Sequence, residues 1–497
     1  MRWSRRSALT PGRRGFPVAE LEAVIGLEIH VQLATKTKMF CGCELSFGEE
    51  PNIHTCPICL AHPGVLPVTN EQAIRYALQI AAALECEVAP RSIFHRKNYF
   101  YPDSPKAYQI SQYDIPLASN GRLGDIRIHR AHLEEDAAKT IHVGESGRIH
   151  GSSASLVDFN RGGTPLVEIV TEPDLRSAAE AASWARLLRE TVRQLGVSDV
   201  NMEEGSLRVD GNISVRPVGS EELGTKTELK NMNSFRFLER GIEAELARQR
   251  ELIEAGGTVA QETLHFNPGD GTLTPLRSKE EAHDYRYFPE PDLVPLAPTE
   301  AMLREARESL PELPAARIER YREQMGLADD TAALLATDPE TAAYFERTAK
   351  EAGEGVEPRV VANWVTGELA AALRQADGGA SAAESKVEPA ALAALVAMVQ
   401  EKKISNSSGK AVLATLVTEG GDPAAIVERE GLAQISDSGE LEAVVAAAVE
   451  ANPEAAEQIR AGNQKAIGAI VGAVMKETKG RADGGEVNRL IKQKLDS

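Results

Sequence analysis

The sequence predicts an α+β protein in which an N-terminal domain with antiparallel sheet precedes two all-α domains. From residue 19 to about 295, short segments of alternating polarity are separated by Gly and Pro turns, without regular crossover helices between them, which favours antiparallel pairing. Six prolines between Pro289 and Pro314 mark a boundary, and helical patterns follow it. All ten His lie at or before His283 and all five Cys at or before Cys86, so the chemistry belongs to the first domain.

Bulk composition excludes several classes of protein. The chain has 497 residues, which predicts about three domains. A net charge of −19 argues against a protein that coats nucleic acid or membrane through bulk electrostatics, so any contact with RNA should be local. No run of about 18 apolar residues occurs, so neither a transmembrane helix nor a membrane partner is expected.

Residues 1–19 form a basic extension that we expect to be disordered. They contain five Arg and no acid, and they lack the apolar core of a secretory signal. Such a segment fits a bacterial extension, a start codon assigned too early, or a mitochondrial targeting segment. The remainder is rich in Ala, Glu and Arg, which favours one of the first two and a bacterial, cytoplasmic protein.

The first predicted element is a strand over residues 24–33 (VIGLEIHVQL). Its alternation puts four apolar side chains on one face, with Glu28, His30 and Gln32 on the other. An edge strand whose polar face meets water is one interpretation of this pattern.

Two later strands favour a different interpretation. The strand over residues 128–136 ends in three consecutive acids, and the apolar run 166–170 is interrupted only by Glu168. Clustered like charges, and a carboxylate within a buried strand, require a cation, a proton or a basic partner. The candidate cation site drawn from these three strands consists of Glu28, His30, Glu135 and Glu168.

Four cysteines follow the first strand with the spacing C-x-C-x12-C-x2-C, namely Cys41, Cys43, Cys56 and Cys59. Two close pairs separated by a short loop can surround zinc tetrahedrally. With four sulfur ligands the metal has no open position, so its predicted role is structural. A pair of disulfides is the alternative, which a cytosolic context disfavours.

Residues 95–106 interleave cations with aromatic residues, a composition that suits phosphate contact together with stacking on a ring. A solvated loop packed by its own tyrosines is the alternative. The sequence contains neither a P-loop motif nor a G-x-S-x-G elbow, so we expect neither a P-loop nucleotide site nor a covalent hydrolase.

Helices are predicted from periodicity and capping residues. In the first domain they cover residues 70–87 and 177–195. Beyond the boundary they cover residues 331–336, 339–352, 358–374, 389–402, 440–451, 464–476 and 486–495. From residue 463 onward seven basic residues outnumber four acids, which indicates either a local RNA contact or a solvated helical face.

Seven blocks together resemble the B subunits of the bacterial aspartyl/glutamyl-tRNA amidotransferases. They are residues 24–33, 96–103 (RKNYFYPD), 106–112 (KAYQISQ), 132–136 (HLEED), 158–170 (DFNRGGTPLVEIV), 202–208 (MEEGSLR) and 284–292 (DYRYFPEPD). The resemblance runs from about residue 22 to the last helix. It implies a cradle-like catalytic domain over residues 20–309, a helical domain over 310–430 and a tRNA-binding helical tail over 431–497.

The resemblance also implies the reaction. Such a protein binds Glu-tRNA, Asp-tRNA or both, and phosphorylates the side-chain carboxylate with ATP before ammonia displaces the phosphate. An amidase (A) subunit supplies the ammonia through a channel, and a small C subunit completes a heterotrimer.

By resemblance, the candidate cation site holds magnesium, although its imidazole keeps manganese or a water-mediated role open. Phosphate contacts are assigned to Lys97, Lys106 and Arg161. Alternation places Lys226, Glu228 and Lys230 on one face, where they either line the ammonia channel or form cross-strand salt bridges. A zinc-containing RNA-binding scaffold that uses no ATP is the alternative from another functional class.

Overall fold

A computed structural model describes residues 20–143, 152–277, 285–376, 381–433, 438–460, 463–478 and 481–496. The basic extension, residues 1–19, therefore lies outside the described residues. The chain divides into two compact units, Met1–Leu313 and Pro314–Ser497. The first is built on sheets and the second is helical, which confirms the predicted fold class.

The first unit contains a nine-stranded sheet in the order β13-β12-β11-β10-β1-β9-β6-β5-β2. The strands of the described chain are β1 Leu21–Gln32, β2 Glu87–Val88, β3 His95–Asn98, β4 Tyr108–Ser111, β5 Ala118–Leu123, β6 Ile126–Glu135, β7 Lys139–Val143, β8 Ala154–Asp158, β9 Pro165–Thr171, β10 Leu207–Pro217, β11 Thr227–Met232, β12 Thr263–Phe266, β13 Leu273–Arg277 and β14 Phe288–Pro289. Neighbouring strands of the large sheet are antiparallel except β11 and β12, which are parallel. Two smaller sheets have the orders β14-β3-β4 and β7-β8.

Strand β1 lies in the middle of the large sheet, between β10 and β9. Its alternation buries Ile25, Leu27 and Ile29 completely on one face. A helix packs against that face. Leu27 pairs with Gly211 on β10, and a Cβ placed on Gly211 would lie 3.8 Å from Cγ1 of Ile242, which belongs to that helix. The opposite face is left for polar side chains.

Four helices complete the first unit: α1 Glu71–Ala83, α2 Ala178–Leu195, α3 Phe235–Glu254 and α4 Glu300–Glu308. Asn70 caps α1, because its side chain accepts hydrogen bonds from the backbone N–H groups of Gln72 and Ala73. The predicted extension of α1 to residue 87 is wrong. Glu85 has a φ of 52° and Glu87 enters strand β2, so the chain leaves the helical conformation after Ala83.

The described residues of the second unit form α5 Pro314–Met325, α6 Asp329–Thr337, α7 Pro339–Ala352, α8 Pro358–Asn363, α9 Ala370–Ala376, α10 Pro389–Gln400, α11 Asn406–Glu419, α12 Pro423–Glu430, α13 Ser438–Ala451, α14 Pro453–Arg460, α15 Ile467–Glu477 and α16 Gly484–Asp496. They pack around two separate apolar clusters, one spanning Tyr321 to Val427 and the other Leu441 to Leu495. A π-helical turn, Trp364–Leu369, interrupts the helix predicted over residues 358–374. In the described part of the chain, no helix combines the length and apolar character needed to cross a bilayer.

Candidate functional site

Strand pairing brings three of the four candidate cation residues, Glu28, His30 and Glu168, to the polar face of the large sheet. His30 on β1 lies opposite Glu168 on β9, and Glu168 lies opposite His132 on β6. On the other side of β1, Glu28 lies opposite Asp210 on β10. Side chains of directly paired residues project from the same face, so residues far apart in sequence meet there.

The centre of this face is a cluster of imidazoles and carboxylates. His30 Nε2 lies 3.4 Å from Glu134 Oε1, 3.5 Å from Glu168 Oε2 and 3.9 Å from Glu28 Oε1. His132 Nε2 lies 3.5 Å from Glu168 Oε2 and 3.7 Å from Glu134 Oε2. Ser111 donates a hydrogen bond of 3.1 Å to Glu134. We call Glu28, His30, His132, Glu134 and Glu168 the carboxylate–imidazole cluster.

Two sets of ligand atoms in this region lie close enough to hold a cation. One is His30, Glu134 and Glu168, and the other is Glu28, His30 and Asp210, each with ligand atoms within 4.8 Å of one another. Carboxylate oxygens are the ligands that magnesium and manganese prefer, and manganese also accepts imidazole nitrogen. The donor set therefore fits a hard divalent cation.

The electrostatics of the cluster reflect concentrated negative charge. Burial lowers the pKa of His30, but its hydrogen bond to Glu168 and the charges of Glu134 and Glu168 outweigh burial and raise it. Burial raises the pKa of Glu168, yet the charges of His132 and His30 hold it well below its ordinary value. Burial and the neighbouring Glu168 raise the pKa of Glu28. The cluster attracts positive charge, as a cation site must.

Glu135 lies outside this cluster. Its Oε1 accepts hydrogen bonds from Lys106 Nζ and, at 2.9 Å, from the backbone N–H of Ile110. A β-bulge between Ile128 and Arg130 explains the difference. Alternation counted from buried Ile128 puts Glu135 on the polar face, but the extra residue reverses the alternation and puts Glu134 there instead.

The three predicted phosphate contacts lie in different settings. Lys97 Nζ lies 4.8 Å from the centre of the Tyr285 ring, and Glu134 is the main charge that raises its pKa against the effect of burial. Lys106 pairs with Glu135. Arg161 donates hydrogen bonds of 3.0 Å to the backbone carbonyls of Ala137 and Ala138, which gives this side chain a structural task.

The three predicted channel residues share a face as their alternation requires. Lys230 Nζ lies 3.2 Å from Asp210 Oδ2 on the neighbouring strand and 2.9 Å from Glu228 on its own. Lys226 donates a 3.0 Å hydrogen bond to the side chain of Asn212. A cross-strand salt bridge thus occurs at Lys230, which also borders the cavity described next.

A cavity of about 650 Å³ lies over the polar face. Its walls combine acids with cations, namely Glu28, His30, Lys97, Asp103, Lys106, Glu134, Glu135, Asp136, Lys139, Glu203, Glu204, Arg208, Asp210 and Lys230. A volume of this size accommodates a nucleotide-sized ligand. A second cavity of about 220 Å³ shares five lining residues with it, namely Cys59, Pro105, Lys106, Glu135 and Gly163.

The four cysteines of the predicted zinc site lie together, with their sulfur atoms within 4.8 Å of one another. None of the five cysteines forms a disulfide. The cluster is therefore compatible with a metal, and four sulfur donors fit zinc. A hydrogen bond from Cys41 lowers the pKa of Cys59 to about 4 against the effect of burial, and the charge of Lys38 contributes to the lowering. Cys86 lies apart from this group.

Sequence reasoning missed four residues of the polar face: His132, Glu134, Arg208 and Asp210. His132 and Glu134 lie in the predicted strand over residues 128–136, so what the sequence left open was the face of the strand that each side chain occupies. Arg208 and Asp210 follow the MEEGSL segment with strand alternation, and pairing with His30 and Glu28 places them at the site. That pairing is a long-range contact without a local signal.

Comparison with known proteins matches almost the whole chain. Residues 23–304 match the family model described as the GatB/GatE catalytic domain, and residues 343–495 match the one described as the GatB domain. Three similar proteins are each named as the B subunit of an aspartyl/glutamyl-tRNA(Asn/Gln) amidotransferase. That of Brevibacillus brevis is 48% identical over 97% of this chain and 100% of its own length. That of Geobacter sulfurreducens is 49% identical over 95% and 99%, and that of Persephonella marina 47% identical over 96% and 100%.

Proposed function

Because the chain belongs to the family of aspartyl/glutamyl-tRNA(Asn/Gln) amidotransferase B subunits, we propose that it converts Glu-tRNA(Gln), Asp-tRNA(Asn) or both into the amidated forms. The γ-phosphoryl group of ATP passes to a side-chain carboxylate oxygen, and ADP leaves. Ammonia then attacks the acyl carbon, and phosphate leaves. An amidase (A) subunit releases the ammonia from glutamine, and a small C subunit completes the complex.

The observation that carries this proposal is the carboxylate–imidazole cluster, three members of which, Glu28, His30 and Glu134, line the large cavity. A carboxylate is a poor acyl donor until it is phosphorylated, and phosphoryl transfer depends on positioning and on stabilisation of negative charge. Magnesium or manganese held here would neutralise charge on the transferred phosphoryl group. His30, Glu134 and Glu168 would be its ligands, with Glu28 and Asp210 as a second set that shares His30.

The cations of the cavity supply the remaining contacts. Lys97 lines the cavity, and the charges of Glu134 and Glu168 raise its pKa against the effect of burial and so favour its charged form. We propose that its ammonium contacts a phosphate oxygen. Arg208 borders the same cavity, and its Nη2 lies 3.1 Å from Oδ2 of Asp136. We assign its guanidinium to an anionic group of either substrate. Lys106 is engaged by Glu135, and this pair would have to separate before Lys106 could contact phosphate.

The polar face extends across β11, and the salt bridge between Lys230 and Asp210 lies on the cavity wall. We assign Lys226, Glu228 and Lys230 to the side from which ammonia arrives. Zinc held by the four cysteines would be structural, since four sulfur ligands leave no open position. We assign the helices over residues 431–497 to the body of the tRNA, because Lys465, Lys476 and Lys492 are exposed on them.

The decisive experiment separates phosphoryl transfer from ammonia supply. Glu134→Gln keeps the size of the side chain but removes a charged ligand. In the assembled complex, with saturating ammonium in place of glutamine, ATP cleavage and amide formation should both fall by about 100-fold or more. Basal glutamine hydrolysis should survive, because it occurs on another subunit.

Two comparisons sharpen the test. Glu221→Gln, at an exposed position, should leave all three rates unchanged. Glu135→Gln should lower metal affinity less than Glu134→Gln, since the Glu135 carboxylate already contacts Lys106 and Ile110. Rescue of Glu134→Gln by ammonium would show that the acids serve ammonia supply. Absence of any tRNA-dependent ATP cleavage by the unmodified complex would instead favour an RNA-binding scaffold.

A further inference from the structure

Lys38 is a lysine buried beside the cysteine cluster, with only 1% of its surface exposed. Its ammonium donates a 2.9 Å hydrogen bond to the backbone carbonyl of Phe159 and lies 3.7 Å from Sγ of Cys59. Within the described ranges, the polar contacts of this ammonium are thus one oxygen and one sulfur, and neither belongs to a carboxylate.

Such a burial needs an anionic partner. Removing an ammonium from water costs several kcal/mol, and one carbonyl dipole offsets only part of that cost. A divalent metal with four cysteine thiolates has a formal charge of −2, because four negative charges outweigh two positive ones. That charge would lie within contact distance of the Lys38 ammonium through Cys59.

We propose that Lys38 is the counter-ion and a positioning residue of a zinc–tetrathiolate centre, and that it makes this centre and the 159–163 turn dependent on each other. The proposal rests on the structural zinc assigned above. It adds a specific route by which zinc supports the wall of the catalytic cavity.

Backbone hydrogen bonds at Lys38 and Met39 connect the cysteine cluster to the 159–163 turn. The Lys38 N–H donates to the carbonyl of Cys43 at 3.0 Å, and the Met39 N–H donates to the carbonyl of Gly163 at 2.7 Å. Gly163 has a φ of 91°, and a Cβ there would lie 3.3 Å from Cδ of Lys38. The lysine stem therefore packs against a turn that only glycine adopts easily.

The loop between the cysteine pairs docks on the first residues of this turn and on Asp158 just before it. The Asn52 side chain accepts a 2.8 Å hydrogen bond from the Phe159 N–H, and Asp158 accepts one of 3.1 Å from the Asn52 N–H. Asn160 donates to the carbonyl of Glu50 at 2.8 Å. Gly163 and Cys59 both border the large cavity, so a displaced loop alters its wall.

The test compares Lys38→Met with Lys36→Met in the full chain. Lys36 is exposed and two residues away, so its substitution controls for the loss of one lysine in the same segment. Zinc content is measured after purification, and zinc release to a chelator is followed with a colorimetric indicator. We expect Lys38→Met to release zinc about 10 to 100 times faster than Lys36→Met, because loss of a partner of a metal ligand typically lowers metal affinity by about that factor.

A second measurement separates this role from ordinary packing. Thermal unfolding of both variants and the unmodified chain is recorded with zinc and after its removal. Lys38→Met should lower Tm more in the zinc-loaded protein than after zinc removal, because the loaded centre has a formal charge of −2 beside the ammonium, whereas zinc removal leaves Cys59 as its nearest anionic partner. Equal lowering in both states would make Lys38 a packing residue and overturn the proposal.

A third readout needs no substitution and so stands if Lys38→Met fails to fold. Removing zinc from the unmodified chain should speed amide hydrogen exchange at Met39 and at residues 159–163, but not in β12 at the far side of the sheet. Unchanged exchange at Met39 would contradict the coupling. An unmodified chain that binds no zinc at all would overturn the metal centre itself, whereas tRNA-dependent ATP cleavage would still test the proposed reaction.

Discussion

The ion pair between Arg96 and Glu290 offers the sharpest prediction about stability. The buried Glu290 carboxylate accepts hydrogen bonds from Arg96 Nε at 2.6 Å and Nη2 at 2.7 Å, and from the Asp292 N–H at 3.0 Å. Glu290 directly follows β14, so the pair links the end of β14 to β3, the strand that carries Lys97. Glu290→Gln keeps the volume but turns one acceptor into a donor that faces the guanidinium.

The magnitude follows from the exposure of the two partners. Breaking a buried ion pair costs about 3–5 kcal/mol. The Arg96 side chain keeps 20% of its exposure and a second contact with Asp292 at 3.3 Å, so we expect about 2–3 kcal/mol for Glu290→Gln. Asp292→Asn is the matched control. Its side chain is 37% exposed, and the expected loss is about 1 kcal/mol or less.

The assay is urea unfolding of the full chain, with Trp184 as the fluorescence reporter of the first unit. Trp184 is buried and donates a 3.0 Å hydrogen bond to the carbonyl of Leu123, so its emission should change when this unit unfolds. Replacing Trp3 and Trp364 by Phe removes the other tryptophan signals. Equal midpoints for Glu290→Gln and Asp292→Asn would refute the reasoning, because the buried pair would then be worth no more than an exposed one.

Three further predictions test other regions. A Cβ on residue 121 would lie 2.5 Å from the carbonyl oxygen of Leu84, so Gly121→Ala should destabilise the first unit by about 1–3 kcal/mol in the same urea assay. Deleting residues 431–497 should raise the KM for aminoacyl-tRNA and spare basal glutamine hydrolysis in the complex; an unchanged KM would remove the tRNA assignment. Hydrogen bonds from Arg127 hold the pKa of Asp174 below its ordinary value, so this carboxylate stabilises the fold above about pH 4 and less so as the pH falls below that value. Asp174→Asn should therefore lower the urea midpoint at pH 7, and the difference should shrink towards pH 3.

The elements best predicted from sequence have local signals at both ends. Helix α7 has the predicted bounds because Asp338 caps it, Pro339 occupies its first position and Gly353 follows its last residue. Helix α3 was not predicted, although it spans Phe235–Glu254, has an N-cap at Ser234 and is amphipathic. Gly241 lowers the helix propensity of this segment. Tertiary packing favours glycine at this position, because a Cβ there would lie only 3.2 Å from Sδ of Met232.

The site was predictable to the level of strands but not of faces. Glu168 can be identified from its own strand alone, because it is the only carboxylate in an apolar run. The face that each residue of β6 occupies depends on the bulge after Ile128, which the neighbouring strand determines. The π-helical turn over Trp364–Leu369 is a similar case, because Trp364, Val365 and Leu369 lie in the buried apolar cluster, whose packing involves residues far from the turn in sequence.

The order of strands in the large sheet constrains how the protein is made. The middle strand β1 is synthesised first, yet both of its neighbours, β9 and β10, emerge from the ribosome much later. Its two rows of backbone hydrogen-bonding groups must stay unpaired through that interval, and such exposed edges promote aggregation. Pairing between distant segments is also slow, because loop closure precedes any gain in contacts. The nascent chain is therefore most vulnerable before residue 217 is translated, and a chaperone that shields β1 during that period should raise the yield of folded protein.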